Sequence, residues 1–124
     1  MLGATPAAAT IAVKDLSRAR EFYGRTLGLK AQEGDEEGVA AYRSGQSTLF
    51  VYESQYAGTN KATAATWVVD DVDSEVEVLK AKGVGFEHYD MPGMKLEGDI
   101  HVSGDLRAAW FKDPDGNILA LVSQ

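Results

Sequence analysis

The sequence has no cysteine among its 124 residues. This absence excludes disulfide bonds, catalysis by a thiolate and zinc sites built on thiolates. No apolar run approaches the roughly 20 residues that a membrane-spanning helix requires. The opening segment "MLGATPAAAT" also lacks the basic flank and the long apolar stretch of a secretory signal. We therefore expect a cytoplasmic protein with no membrane partner.

Positive charge is scarce as well. The 12 Lys and Arg residues stand against 19 Asp and Glu residues, which gives a formal net charge of -7. A nucleic-acid-binding protein usually presents a basic stripe that neutralises phosphates, and no such cluster occurs here. The densest charged run, "EGDEEG" from Glu33 to Gly38, is acidic and predicts a solvated loop at a hairpin tip. We therefore expect no nucleic-acid partner.

What the sequence does contain is a weak internal repeat. The segment "TIAVKDLSRAREFYGRTLGL", which starts at Thr10, aligns with "TWVVDDVDSEVEVLKAKGVG", which starts at Thr66. Each copy opens with a short strand and continues into a helix with one apolar face. Ser17 and Asp73 are the predicted capping residues, because their side chains can accept hydrogen bonds from the first helical turn. The repeat therefore predicts two similar strand–helix units.

Strand-like segments follow each predicted helix. They are "VAAYRS" and "STLFVYE" in the first copy, and "FEHYD", "LRAAWFK" and "NILALVS" in the second. The turn "DPDG" joins the last two, since Pro at its second position and Gly at its fourth are typical of a type I turn. The stretch "MPGMKLEGDIHVSG" predicts a long loop. Residues 88–104 are a candidate lid over a ligand, with an ordinary surface loop as the alternative.

The order strand, helix and three strands therefore occurs twice. This order predicts an α+β fold in which two βαβββ modules form curled antiparallel sheets around a cleft. We expect a single domain over residues 1–124, with module one at about 7–54, a linker at about 55–63 and module two at about 64–123.

The repeated plan, together with "DLSRAREFYGRTLGL" and "WFKDPDGNILALV", resembles the glyoxalase/bleomycin-resistance/extradiol-dioxygenase superfamily, also called vicinal oxygen chelate proteins. The resemblance extends over roughly residues 7–122. It implies that metal-dependent relatives hold a divalent metal with two His and usually two Glu from four strands. It also implies a pocket between modules, often completed by a second subunit, so a homodimer is expected.

The four ligand positions implied by the resemblance can be located by motif. One lies seven residues before the first "DL" pair, and another is its repeat in the second copy. The remaining two lie four residues beyond Gly116 and Gly45. The residues at these positions are Ala8, Leu49, Ala64 and Ala120. Hydrocarbon side chains donate nothing to a metal, so we expect no metal site, no cofactor and no catalytic residue.

What remains is an apolar cleft, a common design for small-molecule pockets. Strand alternation predicts that residues sharing the parity of the ligand positions face this cleft. His101 is the candidate hydrogen-bonding group. Trp110 is the candidate stacking surface, with Phe111 as the alternative, because alternation lets only one of the two face the cleft. The predicted ligand-binding residues are Thr10, Leu49, Val51, Thr66, Val68, His101, Trp110 and Ala120.

These observations favour a metal-independent protein that binds an antibiotic, a drug or an aromatic metabolite by sequestration, similar to the drug-sequestering branch of the superfamily. One alternative is a metal-dependent lyase or dioxygenase whose ligands come from His88, Glu97, Asp99 and His101. Another is a non-catalytic regulatory or interaction module. The negative net charge weakly favours cationic ligands.

Overall fold

The computed structural model describes residues 1–32 and 38–123. The predicted hairpin tip in "EGDEEG" therefore lies, apart from Gly38, outside the described residues. A short 3-10 helix, Leu2–Ala4, precedes the first module, and within that module Leu16–Ala19 (α1) continues directly as a π-helix, Arg20–Thr26. The strands of the first module are β1 (Ala9–Val13), β2 (Lys30–Ala31), β3 (Val39–Ser44) and β4 (Ser47–Glu53).

The second module repeats this plan around one longer helix, α2 (Val72–Ala81). Its strands are β5 (Thr63–Val68), β6 (Phe86–Glu87), β7 (Lys95–Glu97), β8 (Ile100–Ser103), β9 (Leu106–Lys112) and β10 (Ile118–Ser123). The first sheet has the order β1-β4-β3-β2 and the second β5-β10-β9-β8-β7, with β6 also paired to β9. β1 and β5 are neighbours where the two sheets meet. The α+β fold predicted from the repeat is confirmed, but its sheets are not purely antiparallel, because β1 pairs with β4 and β5 pairs with β10 in parallel.

The long loop predicted at "MPGMKLEGDIHVSG" is wrong over residues 95–103. There β7 and β8 form a hairpin in which Lys95 pairs with Val102 and Glu97 pairs with Ile100. The turn depends on Gly98, whose φ of 64° suits a two-residue hairpin connection. β7 is only three residues long, too short for alternation to be visible in the sequence.

The helix caps differ from the prediction by two positions. Asp15, the last residue before α1, accepts a hydrogen bond from the Ser17 N–H at 2.8 Å. Asp71 caps α2 by accepting one from the Ser74 N–H at 3.2 Å. The helices begin directly after these acidic residues, so the predicted caps Ser17 and Asp73 lie inside the first turn.

One buried cluster lies between the helices and the sheets. It combines Ile11 of β1, Tyr23 of the π-helix, Val76 of α2, and Phe111 and Leu119 of the second sheet. Since residues from both modules share it, neither sheet has a core of its own. The side of the sheets that contacts this cluster is called the helix face below.

A buried carboxylate ties the two modules together. Asp113 begins the loop between β9 and β10, and its Oδ2 accepts from the Tyr23 hydroxyl at 2.6 Å and from Asn117 Nδ2 at 2.8 Å. Its Oδ1 accepts from the backbone N–H groups of Asp115 and Asn117, both at 2.9 Å. Asn117 Nδ2 also donates to the Ala12 carbonyl at 2.7 Å. The "DPDG" turn is therefore held to the first module by side-chain hydrogen bonds.

We expect this network to make stability fall at alkaline pH. Burial, and then the charge of Asp113, raise the pKa of Tyr23 above its ordinary value of 10.0. The unfolded chain loses the tyrosine proton above about pH 10 while the folded chain keeps it, so folding loses about 1.4 kcal/mol per pH unit from this group. Tyr23→Phe removes that dependence, at a cost of about 2 kcal/mol at pH 7 for the lost hydrogen bond.

Urea unfolding between pH 7 and pH 11.5 measures both effects. The difference in unfolding free energy between the native protein and Tyr23→Phe should be constant up to about pH 9.5 and then narrow. A difference that stays constant to pH 11.5 would show that the Tyr23 hydroxyl titrates equally in both states.

Candidate functional site on the open face

The strand register defines the face of each sheet that points away from the helices. Thr10 pairs with Phe50 in the first sheet, and Ala120 pairs with Thr66 and with Trp110 in the second. Each of these lies one position away from a residue that belongs to the buried core or packs against it. This side, called the open face, carries Thr10, Phe50, Tyr52, Thr66, Val68, His101, Ala108, Trp110, Ala120 and Val122.

Leu49 and Val51 lie on the helix face, so their predicted place in the cleft is wrong. Leu49 pairs with Ala9 and Val51 pairs with Ile11, and both belong to the buried core. The residue between them, Phe50, faces the open side instead. A shift of one residue along a strand moves a side chain to the opposite face.

Loop length explains the error. Ser44 pairs with Ser47 across a two-residue turn, whereas Lys112 pairs with Ile118 across five loop residues. The residue pair next to the turn therefore lies on the helix face in the hairpin of the first module and on the open face in the hairpin of the second. Counting from the turn glycine gives the strand position in both modules but not the face.

The position of Phe50 on the open face changes one of the four metal-ligand positions. Thr10 aligns with Thr66 in the repeat, and their strand partners are Phe50 and Ala120. Phe50, rather than Leu49, is thus the first-module counterpart of Ala120. A phenyl ring is no better a ligand than an isobutyl group.

The other two positions are also hydrocarbon. Ala8 is exposed just before β1, and Ala64 is half-buried in β5, where the pairing shifts register between Thr63 and Ala65. Together with Phe50 and Ala120, these side chains offer no nitrogen or oxygen to a divalent cation. The residues at the superfamily's ligand positions do not fit a metal.

The alternative ligand set is engaged in other contacts. Asp99 binds Lys80 Nζ and His88 Nε2, each at 2.8 Å, and these two hydrogen bonds lower the pKa of Asp99, with Lys80 the larger cause. Glu97 lies 4.0 Å from the Arg107 guanidinium. Within residues 1–32 and 38–123, no three His, Asp or Glu side chains form a group that could hold a metal ion.

His101 lies on β8 in a buried aromatic cluster. Its Nε2 accepts from the Tyr89 backbone N–H at 2.9 Å, which places the proton of the neutral ring on Nδ1. In the part of the chain that the structure describes, the buried His101 Nδ1 and the buried Tyr89 hydroxyl have no hydrogen-bond partner. A buried polar group left in this state costs about 1–3 kcal/mol.

Tyr89 and His101 both contact Trp110. The ring centroids of His101 and Trp110 are 4.8 Å apart and those of Tyr89 and Trp110 are 5.7 Å apart, both edge-to-face. Burial, and then the negative charge of Glu87, raise the pKa of Tyr89, so its hydroxyl stays protonated as a donor. This cluster combines an aromatic surface with two unpartnered polar atoms.

An open cavity of about 340 Å³ lies against this cluster. We call it the Trp110 cavity; its lining includes Thr63, Tyr89, Met91, Trp110 and Ile118. Trp110 Nε1 donates to Thr63 Oγ1 at 3.2 Å, which orients the indole along the wall. Phe111, the alternative to Trp110 for the cleft, packs in the buried core instead.

A second cavity, of about 230 Å³, lies where β1, β4 and β5 meet. We call it the junction cavity; Thr48, Leu49, Thr66 and Trp67 are among its lining residues. Leu49 reaches it from the helix face, at the start of β4. Its hydroxyl groups make this cavity more polar than the Trp110 cavity.

The structure therefore divides the predicted ligand-binding residues. Trp110 lines the larger cavity, and His101 and Ala120 lie beside it, while Thr66 and Leu49 line the junction cavity. The remaining three, Thr10, Val51 and Val68, line neither cavity.

Thr63 and Lys61 also line the Trp110 cavity and were missed, because they fall in the predicted linker. The pairing of Thr63 with Ile118 brings them there, and no local sequence signal announces that pairing.

The family comparison agrees with this architecture. The family model described as Glyoxalase/Bleomycin resistance protein/Dioxygenase superfamily matches residues 5–121. The chain belongs to this superfamily. A comparison with curated proteins gives no match.

Several crystal structures are similar to this chain in fold. A glyoxalase family protein from Enterococcus faecalis has a TM-score of 0.74 at 16% identity, covering 98% of this chain and 99% of its own. Lactoylglutathione lyase from Agrobacterium tumefaciens has a TM-score of 0.70 at 18% identity, and the match covers 96% of this chain and 92% of its own. The fosfomycin resistance protein FosX from Listeria monocytogenes has a TM-score of 0.71 at 17% identity, and the match covers 96% of this chain and 92% of its own.

At such identities the likeness shows the fold alone. In the described part of this superfamily member, no helix combines the length and apolarity needed to cross a membrane.

Proposed function

We propose that this superfamily member is a metal-independent binding protein for a small hydrophobic or aromatic molecule, such as an antibiotic, a drug or a metabolite, and that it acts by sequestration. One observation carries the proposal: hydrocarbon side chains occupy all four metal-ligand positions, Ala8, Phe50, Ala64 and Ala120. Without a donor at any of them, chelation of two adjacent substrate oxygens by a metal has no support in the fold.

The Trp110 cavity is the proposed ligand site. The Trp110 indole in its wall offers a stacking partner for a planar ring, an interaction of about 0.5–1.5 kcal/mol beyond area burial. The unpartnered Tyr89 hydroxyl and His101 Nδ1–H lie in the same cluster. A ligand bearing a hydrogen-bond acceptor would offer these donors a partner after a small movement of the Tyr89 ring. The preferred ligand is thus aromatic and carries an acceptor.

We further propose that the protein is a cytoplasmic homodimer. The open face leaves large apolar side chains exposed: Val68 is 85% exposed, Phe50 39% and Tyr52 38%. Adjacent apolar side chains on a sheet favour coverage by a partner. A second copy placed there would cover Thr10, Thr66 and Val68, which line no part of the Trp110 cavity.

Thermal unfolding of chelator-treated protein tests the proposal. Excess Ni, Zn, Mn or Fe(II), added one at a time, should leave the midpoint unchanged. A specific metal at about a thousand times its Kd would stabilise the fold by about 4 kcal/mol, a rise on the order of 10 °C or more. Such a rise would overturn metal independence.

The same assay with quinoline and acridine as planar probes tests the site. Both should raise the midpoint, and Trp110→Ala should weaken the apparent affinity at least about tenfold through lost stacking and buried area. Arg107→Ala is the matched control and should keep the response, because Arg107 lies on the helix face of the same strand, where it binds Asp73 at 2.9 Å. No response to any aromatic probe would favour the interaction module over a binding protein.

A further inference from the structure

A third cavity, of about 200 Å³, opens on the helix face, on the opposite side of the sheets from the proposed ligand site. We call it the helix-face cavity. It lies between the end of the π-helix, α2 and the second sheet. Its apolar walls are Leu27, Leu29, Trp67, Leu79, Phe111 and Leu121. A cavity of about 150 Å³ with such walls is large enough for benzene, so this one admits a single ring with a short substituent.

The walls are held in place by packing. Phe111 and Leu121 belong to the buried core, and the rings of Trp67 and Phe111 stack with centroids 6.5 Å apart at 23°. Trp67 is also oriented by a hydrogen bond from its Nε1 to Ser44 Oγ at 2.8 Å. A bound ring would therefore enter a preformed space.

The polar groups around the helix-face cavity favour a positively charged ligand. Among the lining residues within 1–32 and 38–123, only Glu75, in the first turn of α2, carries a charge. The Ser44 hydroxyl oxygen accepts from Trp67 Nε1 and has a second lone pair that can accept from an ammonium group. The net charge of -7 attracts cations over longer range.

We infer that the helix-face cavity binds a small arylalkylamine, with its ring against Trp67 and Phe111 and its ammonium group facing Glu75. This site is separate from the Trp110 cavity, because the two lie on opposite faces of the second sheet. Failure of either proposal leaves the other standing.

The chain offers an internal reporter, since Trp67 and Trp110 are its two tryptophans. In Trp110→Phe, emission reports Trp67 alone. Benzylamine should change that emission in a saturable way, with an affinity at least about tenfold above that of phenylacetate, whose charge is reversed. Equal affinity for benzylamine and phenylacetate, or no saturable change, would overturn the inference.

Matched variants locate the amine. Glu75→Gln should reduce benzylamine affinity to that of toluene, while Glu77→Gln, an exposed acid on the same helix, should leave it unchanged. Equal losses in the two variants would show long-range attraction instead of a site and would overturn the inference.

A second pair of variants tests the cavity itself. Val69→Phe places a ring in the lined space and should abolish the benzylamine response, while Val68→Phe, on the exposed neighbour, should keep it. Circular dichroism establishes that each variant is folded. If Val69→Phe does not fold, the Glu75 and Glu77 pair decides alone. A response that survives in folded Val69→Phe would overturn the inference.

Discussion

Asp113→Asn is expected to lower the free energy of unfolding by about 3–5 kcal/mol, because it removes a buried acceptor surrounded by donors. The carboxylate accepts four hydrogen bonds, from Tyr23, the Asn117 side chain and two backbone N–H groups. An amide at this position turns one accepting oxygen into a donor. Two of the existing donors then face another donor at a residue that is only 5% exposed.

Urea unfolding at pH 7 measures the loss. Asp115→Asn is the matched control, since Asp115 lies in the same loop and its Oδ2 accepts from the Lys14 N–H at 3.0 Å in an exposed position. Asp115→Asn should lower the free energy of unfolding by only about 1 kcal/mol. Equal losses for the two variants would mean that the Asp113 network contributes nothing beyond an ordinary loop contact.

A double-mutant cycle with Tyr23→Phe isolates the contact between the modules. Tyr23 and Asp113 are 90 residues apart in the chain, and their oxygens are 2.6 Å apart. The two losses should be non-additive by about 1–3 kcal/mol, as expected for groups in direct contact. Additive losses would show that the hydroxyl and the carboxylate act independently.

Gly58→Ala should lower the free energy of unfolding by about 3 kcal/mol or more, through backbone strain and a steric clash. Gly58 has a φ of 71°, and a Cβ added there would overlap the backbone carbonyl oxygen of Asp115. The backbone on both sides would have to move, since the contact is not with a flexible side chain. The predicted linker at 55–63 is therefore packed against the turn that joins β9 and β10, and Ala57 beside it is buried.

Gly45→Ala separates the two causes. Gly45 has a similar φ of 58°, but an added Cβ there would meet nothing within 4 Å. Its cost should be about 1–2 kcal/mol from the left-handed conformation alone. Thermal melts of both variants measure the two stability losses, and the difference between these losses is the steric contribution. A difference near zero would show that the linker can move away from the turn without loss of stability.

Local sequence was sufficient for the strands around the two glycine turns. "VAAYRS" and "STLFVYE" coincide with β3 and β4, and "LRAAWFK" coincides with β9. Branched and aromatic residues between turn signals carry this information within a few positions. Such reasoning could not find the hairpin of β7 and β8. These residues form strands because β8 pairs with β9, and not because of their own sequence pattern.

The side-chain chemistry of the candidate site was also accessible, but its geometry was not. Alanines at positions 8, 64 and 120 exclude metal ligands whatever the fold does with them. Whether Leu49 or Phe50 reaches the open face depends on the length of one hairpin turn relative to another. The sequence therefore leaves Leu49 and Phe50 as the two candidates for this strand position. Only the strand register determines which of them lies on the open face.

The sequence by itself determined the repeated α+β plan, the turn at Asp113 and the missing metal donors, because each depends on residue type and short spacing. The tertiary structure alone decided that Asp113 is buried under Tyr23, that Trp110 and not Phe111 faces the open side, and that a cavity lies beside Glu75. These features depend on contacts between residues far apart in the chain. Residue pattern constrains local conformation strongly, whereas burial and cavities arise only when two modules pack around one core.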